Sequence, residues 1–197
     1  MRSRFIAAVV PLAAALALVS QGSALAATKG VTISDFMYSP TPVKVKLGGQ
    51  VKWTNNGPSH HTTTSDVLSL WNSGSLNTAG TFSFTFTAAG GFAYHCTIHP
   101  FMEGAVNVPM TASPKSGGTS TTFTIAWATA APTGNRVYDV QEKAPGGKYM
   151  TIQNGVTSLS TSFHPSGTGT FMFRARERDT SSGQSTNYSP ALKIVIS

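Results

Sequence analysis

Cys96, His99 and Met102 stand three residues apart in the segment Cys96-Thr97-Ile98-His99-Pro100-Phe101-Met102, and two further imidazoles, His60 and His61, lie well upstream. A thiolate, an imidazole and a thioether at that spacing can all turn inward from one tight loop, whose backbone Pro100 restricts. Two imidazoles and a thiolate near a trigonal plane, with a long axial thioether, hold a copper ion that alternates between Cu(I) and Cu(II). The chain supplies that donor set once. Taken singly, a cysteine is often a small buried hydrophobe and a methionine a core filler; it is their combination that points to a metal. Phe92, Tyr94 and Phe101 supply apolar surroundings that would exclude water and favour Cu(I).

The compartment agrees with this chemistry. Arg2 and Arg4 precede an apolar run from Phe5 to Val19, and small residues follow up to Ala24-Leu25-Ala26. That pattern predicts a secretory signal peptide over residues 1–26, its apolar run being shorter than the roughly 20 residues of a membrane span. The expected product is exported, secreted or periplasmic, with no membrane span after cleavage. It contains one cysteine, so no disulfide can form within the chain and the thiol is left for another use. Basic residues outnumber acidic ones by 14 to 7, an excess too diffuse to suggest nucleic acid as a partner.

Short alternating runs must position these residues. Val43-Lys44-Val45-Lys46-Leu47, Val51-Lys52-Trp53-Thr54 and Phe82-Ser83-Phe84-Thr85-Phe86 each alternate apolar with polar residues, and Gly48-Gly49 and Gly90-Gly91 supply turns. Phe92-Ala93-Tyr94-His95-Cys96 leads straight into the donor loop. Alternation puts Tyr94 and Cys96 on the inner side and His95 on the outer one, and allows only one of His60 and His61 to face a metal. A stretch of small residues without apolar periodicity, 110–120, reads as a linker. A second series of strands follows, among them Thr122 to Trp127, Arg136 to Gln141, Phe171 to Arg176 and Leu192 to Ile196. The chain is expected to be all-β, as two β-sandwiches over residues 28–109 and 121–197.

The first of these resembles the small blue copper proteins, the cupredoxins, and within them the amicyanin, plastocyanin and pseudoazurin types. The resemblance rests on Trp53-Thr54-Asn55, on His61-Thr62-Thr63-Thr64-Ser65-Asp66 and on Tyr94-His95-Cys96-Thr97-Ile98-His99-Pro100-Phe101-Met102-Glu103-Gly104. It implies a Greek-key sandwich holding one type 1 copper ion through His61, Cys96, His99 and Met102. One departure stands at the upstream ligand, where the family usually has Pro-His and this chain has His60-His61. The resemblance further implies a redox partner protein docking near His99, Pro100 and Phe101.

The second half is similar to fibronectin type III domains in Trp127, Tyr138-Asp139-Val140-Gln141, Phe171-Met172-Phe173-Arg174-Ala175-Arg176 and Asn187-Tyr188-Ser189-Pro190. Phe171 replaces the usual corner tyrosine, and no Arg-Gly-Asp tripeptide is present. Arg174, Arg176 and Arg178 alternate and share a face, which could meet an anionic glycan or an acidic protein. No nucleophile, base or open coordination position is evident, so the expectation is a monomeric, exported electron carrier and not an enzyme. The competing expectations are a non-redox protein that buffers or delivers copper, and an adhesion or matrix module with a vestigial copper site.

Overall fold

The computed structural model describes residues 27–197 and is all-β; the expected signal peptide lies outside the described residues. Eight strands come first: β1 (Lys29–Ser34), β2 (Met37–Ser39), β3 (Val43–Lys44), β4 (Gln50–Asn55), β5 (Thr64–Ser65), β6 (Thr81–Thr85), β7 (Gly90–His95) and β8 (Glu103–Val108). They form two sheets, in the orders β2-β1-β4-β6 and β3-β8-β7-β5. Alternation places Val31 and Ile33 of β1, Val51 and Trp53 of β4, and Phe92 and Tyr94 of β7 inside, each almost wholly buried. The Trp53 ring meets Tyr94 edge-on at 5.5 Å and stacks with Trp71 at 5.8 Å, tying the two sheets together over the base of the donor loop.

The second series comprises β9 (Thr111–Ser113), β10 (Ser116–Gly117), β11 (Phe123–Ala126), β12 (Arg136–Lys143), β13 (Met150–Val156), β14 (Ser160–Phe163), β15 (Gly169–Asp179) and β16 (Leu192–Ile196). A three-stranded sheet, β14-β11-β9, faces a five-stranded one, β10-β16-β15-β12-β13. Phe123, Ile125, Trp127, Val140, Phe173 and Ile194 lie buried in its core.

Residues 110–120 differ from the linker expected of them. Thr111–Ser113 pairs with β11 and Ser116–Gly117 with β16, so these two stretches are edge strands of the second sandwich. Small and polar side chains hid it, because a ladder of main-chain hydrogen bonds needs no apolar pattern on an exposed edge.

The two sandwiches are joined through backbone. Ala89 N–H donates to Trp127 O at 2.7 Å, Thr129 N–H to Thr87 O at 2.8 Å, and Gly91 and Asn187 exchange two bonds at 2.9 and 3.0 Å. Gly91 permits that approach, since a Cβ there would stand 3.1 Å from the Asn187 side chain and 3.3 Å from Tyr188 O. These contacts sit at the start of β7, whereas the donor loop leaves its other end.

On the outer face of the five-stranded sheet, Arg174, Arg176 and Arg178 share a side as alternation predicts, yet they are not an open cationic stripe. Asp139, almost wholly buried, accepts from Arg176 Nε at 3.1 Å and from Arg178 Nε at 2.8 Å. Arg174 bonds Gln141 and lies over the Tyr149 and Tyr188 rings at 3.9 and 4.3 Å. Burial works to raise the Asp139 carboxyl, but bonds from Arg178, Gly155 N–H and Arg176 outweigh it and hold the group below its ordinary 3.8.

Candidate metal centre

Each donor reaches the site by a different local rule. Cys96 follows β7 directly and so keeps the inward phase of Tyr94, both being fully buried. His95 between them is half-buried and bonds Asp66 through Nδ1 at 2.7 Å, on the outward side as expected. The segment from Cys96 to Met102 closes on itself. Cys96 N–H donates to Met102 O at 3.0 Å and Met102 N–H to His99 O at 2.9 Å, which turns His99 back beside the thiol. Gly104 then lies opposite Tyr94 in the ladder, where a Cβ would come within 2.3 Å of the tyrosine ring.

His61 arrives on a bridge to Leu76 that exchanges two backbone bonds. Of the two adjacent histidines, His61 is wholly buried and turned to Cys96 and His99, while His60 is exposed and bonds Ser75. The structure therefore brings together His61, Cys96 and His99, whose donor atoms all lie within 4.8 Å of one another. Cys96 Sγ stands 3.9 Å from His61 Nδ1 and 3.7 Å from His99 Nδ1, and the two nitrogens are 3.2 Å apart. The point equidistant from these three atoms is about 2.1 Å from each, matching metal bonds of about 2.0–2.3 Å to imidazole nitrogen and thiolate sulfur. The fourth expected ligand, Met102, is buried at 2 % exposure at the end of the same loop.

The electrostatics suit a cation. Burial alone would raise the Cys96 thiol, but hydrogen bonds from Thr62 N–H, His61 and the loop backbone outweigh it and bring the group down to about 6. Thr62 N–H lies 3.3 Å from Sγ, and Thr62 Oγ1 accepts from Thr97 N–H at 2.8 Å, so one residue clasps the upstream ligand segment to the cysteine loop. A thiolate is the form that binds metal.

Sequence reading missed the support of His61. Its Nε2 donates to Asp35 Oδ1 at 2.9 Å, which leaves the Nδ1 lone pair facing Cys96 and His99. Asp35 is itself fixed by Ser59 Oγ at 2.8 Å, and Gly57 makes room for it, since a Cβ there would fall 2.4 Å from the carboxylate. The hydrogen bonds from His61 and Ser59 hold the Asp35 carboxyl below the usual carboxylate range. The next residue, Phe36, meets the His99 ring edge-on at 4.8 Å. Phe36, Ile98 and Phe101 are 48, 46 and 72 % exposed, so an apolar rim surrounds the half-buried His99. Asp35 precedes His61 by 26 positions, and no spacing signal connects the two.

Comparison with known proteins gives a consistent picture. Residues 25–109 match the family model described as copper binding proteins, plastocyanin/azurin family. The chain is 35% identical over 82 residues to amicyanin of Paracoccus denitrificans, covering 40% of this chain and 63% of that protein. It is 33% identical over 112 residues to amicyanin-alpha of Methylorubrum extorquens, covering 49% of this chain and 94% of that relative. Among solved structures, the purple cupredoxin from Nitrosopumilus maritimus is 31% identical with a TM-score of 0.39, covering 41% of this chain and 98% of that one.

Proposed function

Since this chain belongs to the plastocyanin/azurin family of copper binding proteins, we propose that it is an exported single-electron carrier in which His61, Cys96, His99 and Met102 would hold one type 1 copper ion. The observation that carries this reading is the convergence of one thiol and two imidazole nitrogens, all within 4.8 Å of one another. Copper bound there would supply one-electron chemistry by alternating between Cu(I) and Cu(II).

The chain's own residues do the rest. Cys96 offers a thiolate near neutral pH, Asp35 holds the His61 tautomer, and the bonds from Thr62 and across the Cys96–Met102 turn fix the donors. A rigid donor set lowers the rearrangement between oxidation states. The exposed rim of Phe36, Ile98 and Phe101 favours brief docking of a redox partner near His99, Pro100 and Phe101, a small apolar contact of the kind that releases quickly. Four protein donors leave no open coordination position, which favours a carrier over an enzyme. The second sandwich, with its three- and five-stranded sheets, fits a fibronectin type III-like docking or spacing module, and the start of the sequence supports export.

Voltammetry of the copper-loaded chain tests this reading against copper delivery. A carrier gives a reversible one-electron wave and keeps its metal in both states when a Cu(I) chelator is added. Irreversible reduction with loss of Cu(I) to the chelator contradicts it.

A further inference from the structure

We propose that a groove at the junction of the two sandwiches binds a free amphipathic carboxylate, a molecule with an apolar body and one anionic end. The groove encloses about 450 Å3, with Leu47, Met110 and Leu192 as apolar floor and Lys46, Lys115 and Lys193 around it. That volume falls within the range of small-molecule sites. The three ammonium groups come from separate segments, one in the first sandwich and two in the second, and no acidic side chain lines the groove. All ion pairs among the described residues use histidine or arginine, so these lysines have no carboxylate partner among the described residues. An apolar floor ringed by unpaired cations is complementary to one anionic group on a hydrophobic stem.

A bilayer surface fits less well than a free ligand. Apart from Val195 on β16, the large exposed apolar side chains lie on elements that do not line the groove, namely Phe36, Met37, Ile98, Phe101, Met150 and Ile152. The apolar surface of the groove is recessed, where it can receive a stem but cannot enter a membrane. The groove lies at the junction, at the far end of the first sandwich from the donor loop, and the inference stands independently of the copper reading.

Titration calorimetry with sodium dodecanoate against the full exported chain tests it. Expected are saturable one-to-one binding, binding of dodecanol weaker by about tenfold or more, and a similar loss in the double variant Lys115→Gln, Lys193→Gln. Ala112→Phe, which fills the groove, should abolish binding; the lysine variant, at exposed positions, provides the test should that one not fold, with circular dichroism confirming the fold of each. The absence of saturable binding, equal affinity for dodecanol, indifference to the lysine changes, or binding to phosphatidylglycerol vesicles without binding of free dodecanoate would each overturn the proposal.

Discussion

At His61 the carboxylate of Asp35 holds Nε2–H at 2.9 Å, and a negative charge there makes the imidazole a stronger donor to a doubly charged metal. Losing it should weaken Cu(II) more than Cu(I). Asp35→Asn is therefore expected to reduce the preference for Cu(II) about tenfold, raising the reduction potential by about 60 mV for a one-electron couple. Voltammetry of the variant checks this, and an unchanged potential would show that Asp35 only packs. Cys96 and His99 were legible in the sequence because they are close together and their donor types are distinctive. Asp35 and Thr62 were not, because the contacts that matter are made across the fold by residue types common in any loop.

At the scale of elements, most strands could be read because one face of each is buried and side chains alternate, as in β4 and β7. β9 and β10 could not, their small and polar residues carrying no such signal. The alternation of Arg174, Arg176 and Arg178 was legible too, but not the role of Asp139 on the neighbouring strand, which turns a cationic stripe into a bonded cluster. Its carboxyl is depressed in the folded state, so its contribution is full above the ordinary value of 3.8 and is lost as pH falls below it. Asp139→Asn is expected to cost about 2 kcal/mol at pH 7, the value of hydrogen bonds to charged groups. Urea unfolding should show that the gap between variant and parent narrows toward pH 3. An equal gap at both pH values would contradict this account of the cluster.

For the molecule as a whole, β7 links two poles. Its first residues bind the second sandwich through Gly91 and Asn187, and the residue after its end is Cys96. At about 3.3 Å per residue, the metal centre stands roughly 17 Å from Gly91 along this strand. The second sandwich thus lies at the base of the first and leaves the rim of Phe36, Ile98 and Phe101 uncovered. Two sandwiches were legible from strand spacing. Their junction was not, since main-chain groups make its hydrogen bonds and glycines make its room. Copper coordination by Cys96, at the pole away from the second sandwich, is tested most directly by adding Cu(II) to the protein and recording visible absorption and EPR spectra beside Cys96→Ser. An intense thiolate-to-copper charge-transfer band and a type 1 EPR signal are expected in the parent, both lost in the variant; a parent without that band, or a variant that keeps it, would contradict coordination by Cys96.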